Sequence, residues 1–76
     1  MSDVVLLDTK GLSCPLPVLR ARKAIKTVPA GATLKVLATD PGAVKDFEAF
    51  CQATGSGFGG ASEADGVYTI LVHKPA

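Results

Sequence analysis

The residues with the clearest chemical potential lie in Asp8-Thr9-Lys10-Gly11-Leu12-Ser13-Cys14-Pro15-Leu16-Pro17-Val18. An apolar run, Val4 to Leu7, precedes this stretch and a helically periodic segment follows it. A short loop therefore delivers Cys14 to the start of a helix. Pro15 and Pro17 suit a first helical turn, whose N–H groups have no intrahelical partner, and both would break a helix interior. This spacing puts Cys14 at the N-cap, a position usually held by Ser, Thr, Asn or Asp. The positive end of a helix favours an anion there, so a lowered thiol pKa and a moderately activated, solvent-reachable thiolate are expected. The prolines withhold two N–H groups from the sulfur and leave Leu16 N–H as the main backbone donor. Such a thiol suits the uptake and release of sulfur, because very acidic thiols are poor nucleophiles.

The rest of the chain must position that cysteine. Val4 to Thr9 reads as a strand, and its consecutive apolar residues suit a central position buried on both faces. Pro15 to about Val28 reads as a helix ended by Pro29-Ala30-Gly31. Val18, Ala21, Ala24, Ile25 and Val28 share its inner face. Arg22, Lys23 and Lys26 lie opposite, with Arg20 to one side, Leu19 among the cations and Leu16 near their edge. This face is either a solvated helix surface or a partner-docking patch of Leu16, Leu19, Arg20, Arg22 and Lys23. Thr33 to Thr39 alternates as a second strand. Asp40-Pro41 then reads as an N-cap and first helical position for a second helix, which extends to about Thr54.

Val44, Phe47, Phe50, Cys51 and Thr54 form the inner stripe of that helix, so Cys51 reads as a small core residue. It should lie roughly 15 Å from Cys14, about ten residues at the helical rise, which is too far for a disulfide. Gly55 to Gly60 matches the spacing G-x-G-x-x-G, but a helix precedes it and a strand follows, the reverse of a nucleotide-binding context. It reads as a helix stop, then a loop or weak strand around Phe58 to Ser62. Glu63 to Gly66 reads as a turn ending on glycine. Val67 to His73 is a last strand with Tyr68, Ile70 and Val72 on one face.

The order β-α-β-α-β-β implies an α/β (α+β) two-layer sandwich, a mixed four-stranded sheet with both helices on one face. Chemistry should gather at the carboxyl ends of its parallel strands, where Lys10, Cys14, Arg20 and Asp40 fall, with Gly11, Pro15 and Pro17 shaping the loop. The 76 residues make a single domain, 1–76, which buries only about 60% of its unfolded surface. Apolar content of 47% supports a core, and a net charge of +1 gives no general attraction to nucleic acid or membranes. Two cysteines do not make a secreted disulfide framework. The Met-Ser-Asp start lacks a basic leader and no apolar run approaches a membrane span, so a cytoplasmic protein is expected. Two cysteines and one histidine fall short of a zinc set, so no metal or cofactor is expected. His73 should be a surface residue distant from Cys14, which disfavours a Cys-His pair and a stand-alone catalyst.

The segments Leu7-Asp8, Lys10-Gly11-Leu12, Cys14-Pro15-Leu16-Pro17-Val18-Leu19 and Arg22-Lys23 together resemble the TusA-like (SirA/YedF-type) sulfur-carrier family. Pro29 to Pro41, with its Asp-Pro pair, and Phe50-Cys51 extend the resemblance from Leu7 to about Lys74. It implies a sulfurtransferase-type carrier holding a persulfide on Cys14. It also implies a sulfur-donor protein, often a cysteine desulfurase or rhodanese-like protein, and a sulfur-acceptor protein. The routes implied are tRNA thiolation, molybdenum-cofactor assembly or sulfur oxidation. Two alternatives stay open. One is a small nucleic-acid-binding or regulatory module using the basic helix face, although stacking aromatics are few and direct nucleic-acid binding is not expected. The other is a thiol redox protein, although no C-x-x-C partner is present. A monomeric or weakly associating state is expected.

Overall fold

The computed structural model describes residues 3–75. Met1 and Ser2, read above as the start without a basic leader, and Ala76 at the end of the expected domain lie outside them. Four strands, β1 (Val4–Thr9), β2 (Thr33–Ala38), β3 (Gly57–Ala64) and β4 (Val67–His73), and two helices, α1 (Leu16–Ala24) and α2 (Ala43–Thr54), follow one another as β1-α1-β2-α2-β3-β4. The sheet order is β1-β2-β4-β3. Strands β1 and β2 run parallel, and β4 is antiparallel to both β2 and β3. This is the mixed, helix-covered sheet that the alternation of elements implies. No helix among the described residues is long and apolar enough to cross a membrane.

One layer of the core comes from alternate residues of the two inner strands, the other from the inner stripes of the helices. Leu34, Val36 and Ala38 of β2 and Ile70 and Val72 of β4 are fully buried beneath Ala21, Phe47, Phe50 and Cys51. Each large side chain so buried stabilises the fold by about 1.5–3 kcal/mol. Phe47 and Phe50 meet edge to face with centroids 6.0 Å apart, the arrangement that the ring quadrupole favours. Cys51 is a core residue, as its place on the stripe indicates.

Several local expectations are corrected. Strand β1 lies at an edge of the sheet, with Val4 and Leu6 62% and 61% exposed on the helix-free face. Its run of apolar residues therefore does not mark a central strand. Helix α1 ends at Ala24 and tightens into a 3-10 turn over Ile25–Thr27. β-Branched Ile25, Thr27 and Val28 and the approaching Pro29 disfavour further α-helix there. The N-cap of α2 is Gly42, not Asp40, and the helix begins at Ala43. Asp40 and Pro41 form a turn before it, closed by Ala43 N–H donating to Asp40 O at 3.0 Å. Helix α2 stops at Gly55, whose φ of 75° is the left-handed conformation glycine adopts without penalty. The turn after β3 is centred on Asp65-Gly66, both with positive φ, so glycine is its second central residue.

The glycine-rich segment departs furthest from expectation. Where a loop or weak strand around Phe58 to Ser62 is expected, it forms eight residues of edge strand with a bulge between Phe58 and Gly60. Glycine at position 59 has a steric reason. The His73 side chain, held by Thr33 Oγ1 at 2.7 Å from Nδ1, lies across β3. A Cβ at Gly59 would collide with its imidazole and stand 3.0 Å from Leu71 Cβ. Gly59→Ala should cost about 1–3 kcal/mol by overpacking. Part of that cost should disappear in a His73→Ala background. Thermal or urea melts of the double-mutant cycle check this, and strict additivity would show that His73 is not the obstacle.

Candidate functional site

The carboxyl ends of β1 and β2 each lead into a loop, and the two loops are tied together by side chains. Thr9, buried at the end of β1, donates its hydroxyl to Leu37 O at 2.6 Å. Gly11, at φ 83°, turns the chain so that its N–H reaches Thr39 Oγ1 at 2.9 Å. Cys14 N–H donates to Asp40 Oδ2 at 2.8 Å, while Asp40 Oδ1 accepts Gly42 N–H at 3.2 Å. One carboxylate thus fixes the backbone of the cysteine and the entry to α2. This explains why Asp40 is not spent as a helix cap.

Cys14 is exposed and free. It is not the N-cap of α1. That position is Pro15, Leu16 is the first helical residue and Pro17 the second. Leu16 N–H, expected to face the sulfur, donates instead to Ser13 O at 2.9 Å. The favourable helix-end environment expected for a thiolate is therefore missing. What surrounds the sulfur is acidic. Cys14 Sγ and one oxygen from each of Asp40 and Asp46 lie within 4.8 Å of one another. The Asp46 carboxylate accepts the thiol hydrogen and, with desolvation and the charges of Asp46 and Asp40, holds Cys14 above the ordinary thiol range. The expected lowering of its pKa is reversed.

Asp46 is the site residue that sequence reasoning missed. A signal for it existed: both helices begin at the same edge of such a sheet, so an acidic residue in the first turn of α2 is carried toward Cys14. Beyond Asp46 an open groove of about 310 Å³ runs between the helices, with Cys14 at one end and Val18, Ala49 and Phe50 along it. Arg22 also lines it, its guanidinium 5.6 Å from the centre of the Phe50 ring, a cation–π contact.

The other residues singled out from sequence are dispersed. Pro15 borders the groove, and Pro17 is a buried residue of α1. Lys10 pairs with Asp8 at 3.9 Å. Leu16 and Leu19 are 43% and 52% exposed, and Arg20 and Lys23 are exposed on the same helix. His73 belongs to the opposite edge, where β4 pairs with the start of β2. One thiol and two carboxylates fall short of the four ligands of a structural zinc, and both Asp40 oxygens already accept N–H groups.

The acidic surroundings have a direct consequence for reactivity. A raised folded-state pKa keeps Cys14 protonated to higher pH than an ordinary thiol, so its alkylation should rise at higher pH than that of a cysteine in a short unstructured peptide. Asp46→Asn removes a negative charge and can donate an N–H to the sulfur, so the profile should move to lower pH. Iodoacetamide labelling of Cys14 against pH, read by mass, checks this. An unmoved profile would remove Asp46 from the site.

Residues 5–74 match the family model described as sulfurtransferase TusA. A protein of Neisseria meningitidis serogroup A is 58% identical over 69 residues, covering 90% of this chain and 93% of its own. The sulfur carrier protein TusA of Allochromatium vinosum is 47% identical over 68 residues, covering 90% of each chain. The crystal structure of a SirA-like protein from Desulfitobacterium hafniense superposes with a TM-score of 0.83 at 26% identity, over 95% of this chain and 99% of that one. A single cysteine loop, pinned at the carboxyl edge of a β-α-β-α-β-β sandwich, is thus set in a chain that belongs to the TusA sulfurtransferase family.

Proposed function

We propose that this chain is a sulfur carrier that holds sulfur as a persulfide on Cys14 and relays it between protein partners. The observation that carries this is the presentation of Cys14: an exposed thiol on a pinned loop at the mouth of a groove. Cys14 thiolate attacks the outer sulfur of a donor persulfide R–S–SH; Cys14–S–SH forms and R–S⁻ leaves. The acceptor's thiolate repeats the step on Cys14–S–SH and regenerates the Cys14 thiolate. No base on this chain is needed, since each partner can supply its own. The donor is read as a cysteine desulfurase or rhodanese-like protein and the compartment as reducing cytoplasm; the acceptor and route stay open. A dithiol redox reading is disfavoured because Cys51, the other cysteine, is buried in the core and offers no accessible resolving thiol. A nucleic-acid reading is disfavoured because Arg22 turns into the groove and away from the cationic set of α1.

The docking surface in this proposal is the exposed face of α1 beside Cys14, with Leu16, Leu19, Arg20 and Lys23, and it continues into the groove through Arg22. Leu16 and Leu19 return nothing to the core where they stand. Covered by a partner, each would contribute about 1.5–3 kcal/mol. The arginines and Lys23 would speed encounter with an acidic surface.

Incubation with a persulfide donor followed by intact mass should give a reductant-removable gain of about 32 Da, one sulfur atom. The gain should survive in Cys51→Ser and vanish in Cys14→Ser; the reverse pattern would assign the chemistry to the wrong cysteine. Leu19→Asp should leave the melting temperature and uptake from a small-molecule donor unchanged, while slowing transfer to or from a protein partner at least severalfold. Unfolding of that variant would place Leu19 in the core, and normal protein-to-protein transfer would reduce the patch to a solvated face.

A further inference from the structure

The sulfur sits beside two carboxylates that form no ion pair with any of the described residues. Asp40 and Asp46 each place an oxygen within 4.8 Å of Cys14 Sγ and of each other. Among the described residues the one ion pair is Lys10 with Asp8, so neither carboxylate has a cationic partner. The cation that shares the groove, Arg22, is stacked on Phe50 further along it. Each conversion in the relay requires an anion at Cys14, the attacking thiolate on uptake and the leaving thiolate on release. At about 5 Å in water, each neighbouring carboxylate disfavours such an anion by roughly fourfold at low salt.

We propose that the Asp46–Asp40 pair is the docking point for a cation on the sulfur partner, a lysine or arginine beside the partner's own reactive cysteine. The bound cation offsets one of the two negative charges and makes ionisation of Cys14 easier, so the carrier is more reactive within the complex than outside it. The same cation opposes the charge of the Cys14 thiolate that leaves when sulfur passes to an acceptor. This rests on the carrier reading only in taking the docked protein to be a sulfur partner. The field itself belongs to the geometry.

Small disulfides of different charge test the field without a protein partner. Cystamine carries two ammonium groups, 2-hydroxyethyl disulfide is neutral and dithiodiglycolate carries two carboxylates. In each case Cys14 thiolate attacks one sulfur, Cys14–S–S–R forms and R–S⁻ departs. Rates on the full chain, assigned to Cys14 by peptide mass, are divided by rates on a short unstructured cysteine peptide to remove intrinsic reactivity. Cystamine should be favoured over dithiodiglycolate by roughly tenfold or more at low salt, with the preference falling as salt rises. Asp46→Asn should reduce the ratio severalfold and Asp46→Lys should invert it. A wild-type ratio equal to the peptide's, or one that folded Asp46→Asn leaves unchanged, overturns the proposal. Preference for the anionic reagent also overturns it and gives the field to Arg22. If Asp46→Asn does not fold, the wild-type salt titration decides: collapse of the ratio supports the cation site and indifference to salt rejects it. A cystamine preference in a chain that takes up no sulfur from a persulfide donor would retain the cation site and remove the carrier reading.

Discussion

The carboxylate of Asp40 is the constraint on which the site depends. Its two oxygens accept N–H groups from Cys14 and Gly42, and so bind the loop after β1 to the loop after β2. Gly11 N–H on Thr39 Oγ1 also joins the two loops, but Asp40 is the side chain that holds the Cys14 N–H itself. Pro15 cannot donate a hydrogen bond and Leu16 N–H is taken by Ser13 O. A hydrogen bond to a charged group contributes about 1.5–3 kcal/mol when shielded, and less at this partly open surface. That is small against the core but sufficient to hold one short loop. The reactive atom therefore keeps its place relative to Asp46 and the groove while remaining exposed.

The same carboxylate has a chemical cost. A loop pinned by an acid brings negative charge to a sulfur that must become an anion, and Asp46 adds to it. An enzyme with a cysteine nucleophile normally arranges the opposite, with a cation or helix end beside the thiol. Here the fold provides position and leaves activation to the partner, which suits a carrier. A neutral thiol also reacts slowly with adventitious oxidants and electrophiles, a useful property in an exposed group that waits for a protein collision.

The architecture was legible because each element announces itself in its own period. The stripe of Phe47, Phe50 and Cys51 and the alternation of Leu34, Val36 and Ala38 place both layers of the core. Cys14 stood out through its flanking prolines, yet its environment did not. Helix grammar puts a cysteine before proline at the N-cap, but the helix starts one residue later and its one expected donor closes a turn. Asp40 looked like a cap for the same reason, although its oxygens serve a contact 26 residues away as well as a local one. Asp46 was invisible to a search for apolar stripes, because its significance comes from the juxtaposition of two helix starts. Glycine's low strand propensity hid the regularity of β3, whereas the obstacle that demands glycine is His73 on the neighbouring strand. What sequence periodicity misses in each case is a contact between segments distant in the chain.

Amide hydrogen exchange at Cys14 measures the central constraint most directly. If Asp40 pins the cysteine loop, the Cys14 amide exchanges much more slowly than an open-loop amide, and Asp40→Ala returns it to the open-loop rate while the amides of β2 and β4 keep their protection. A Cys14 amide that exchanges freely in the unaltered chain, or one whose protection survives Asp40→Ala, would contradict the account.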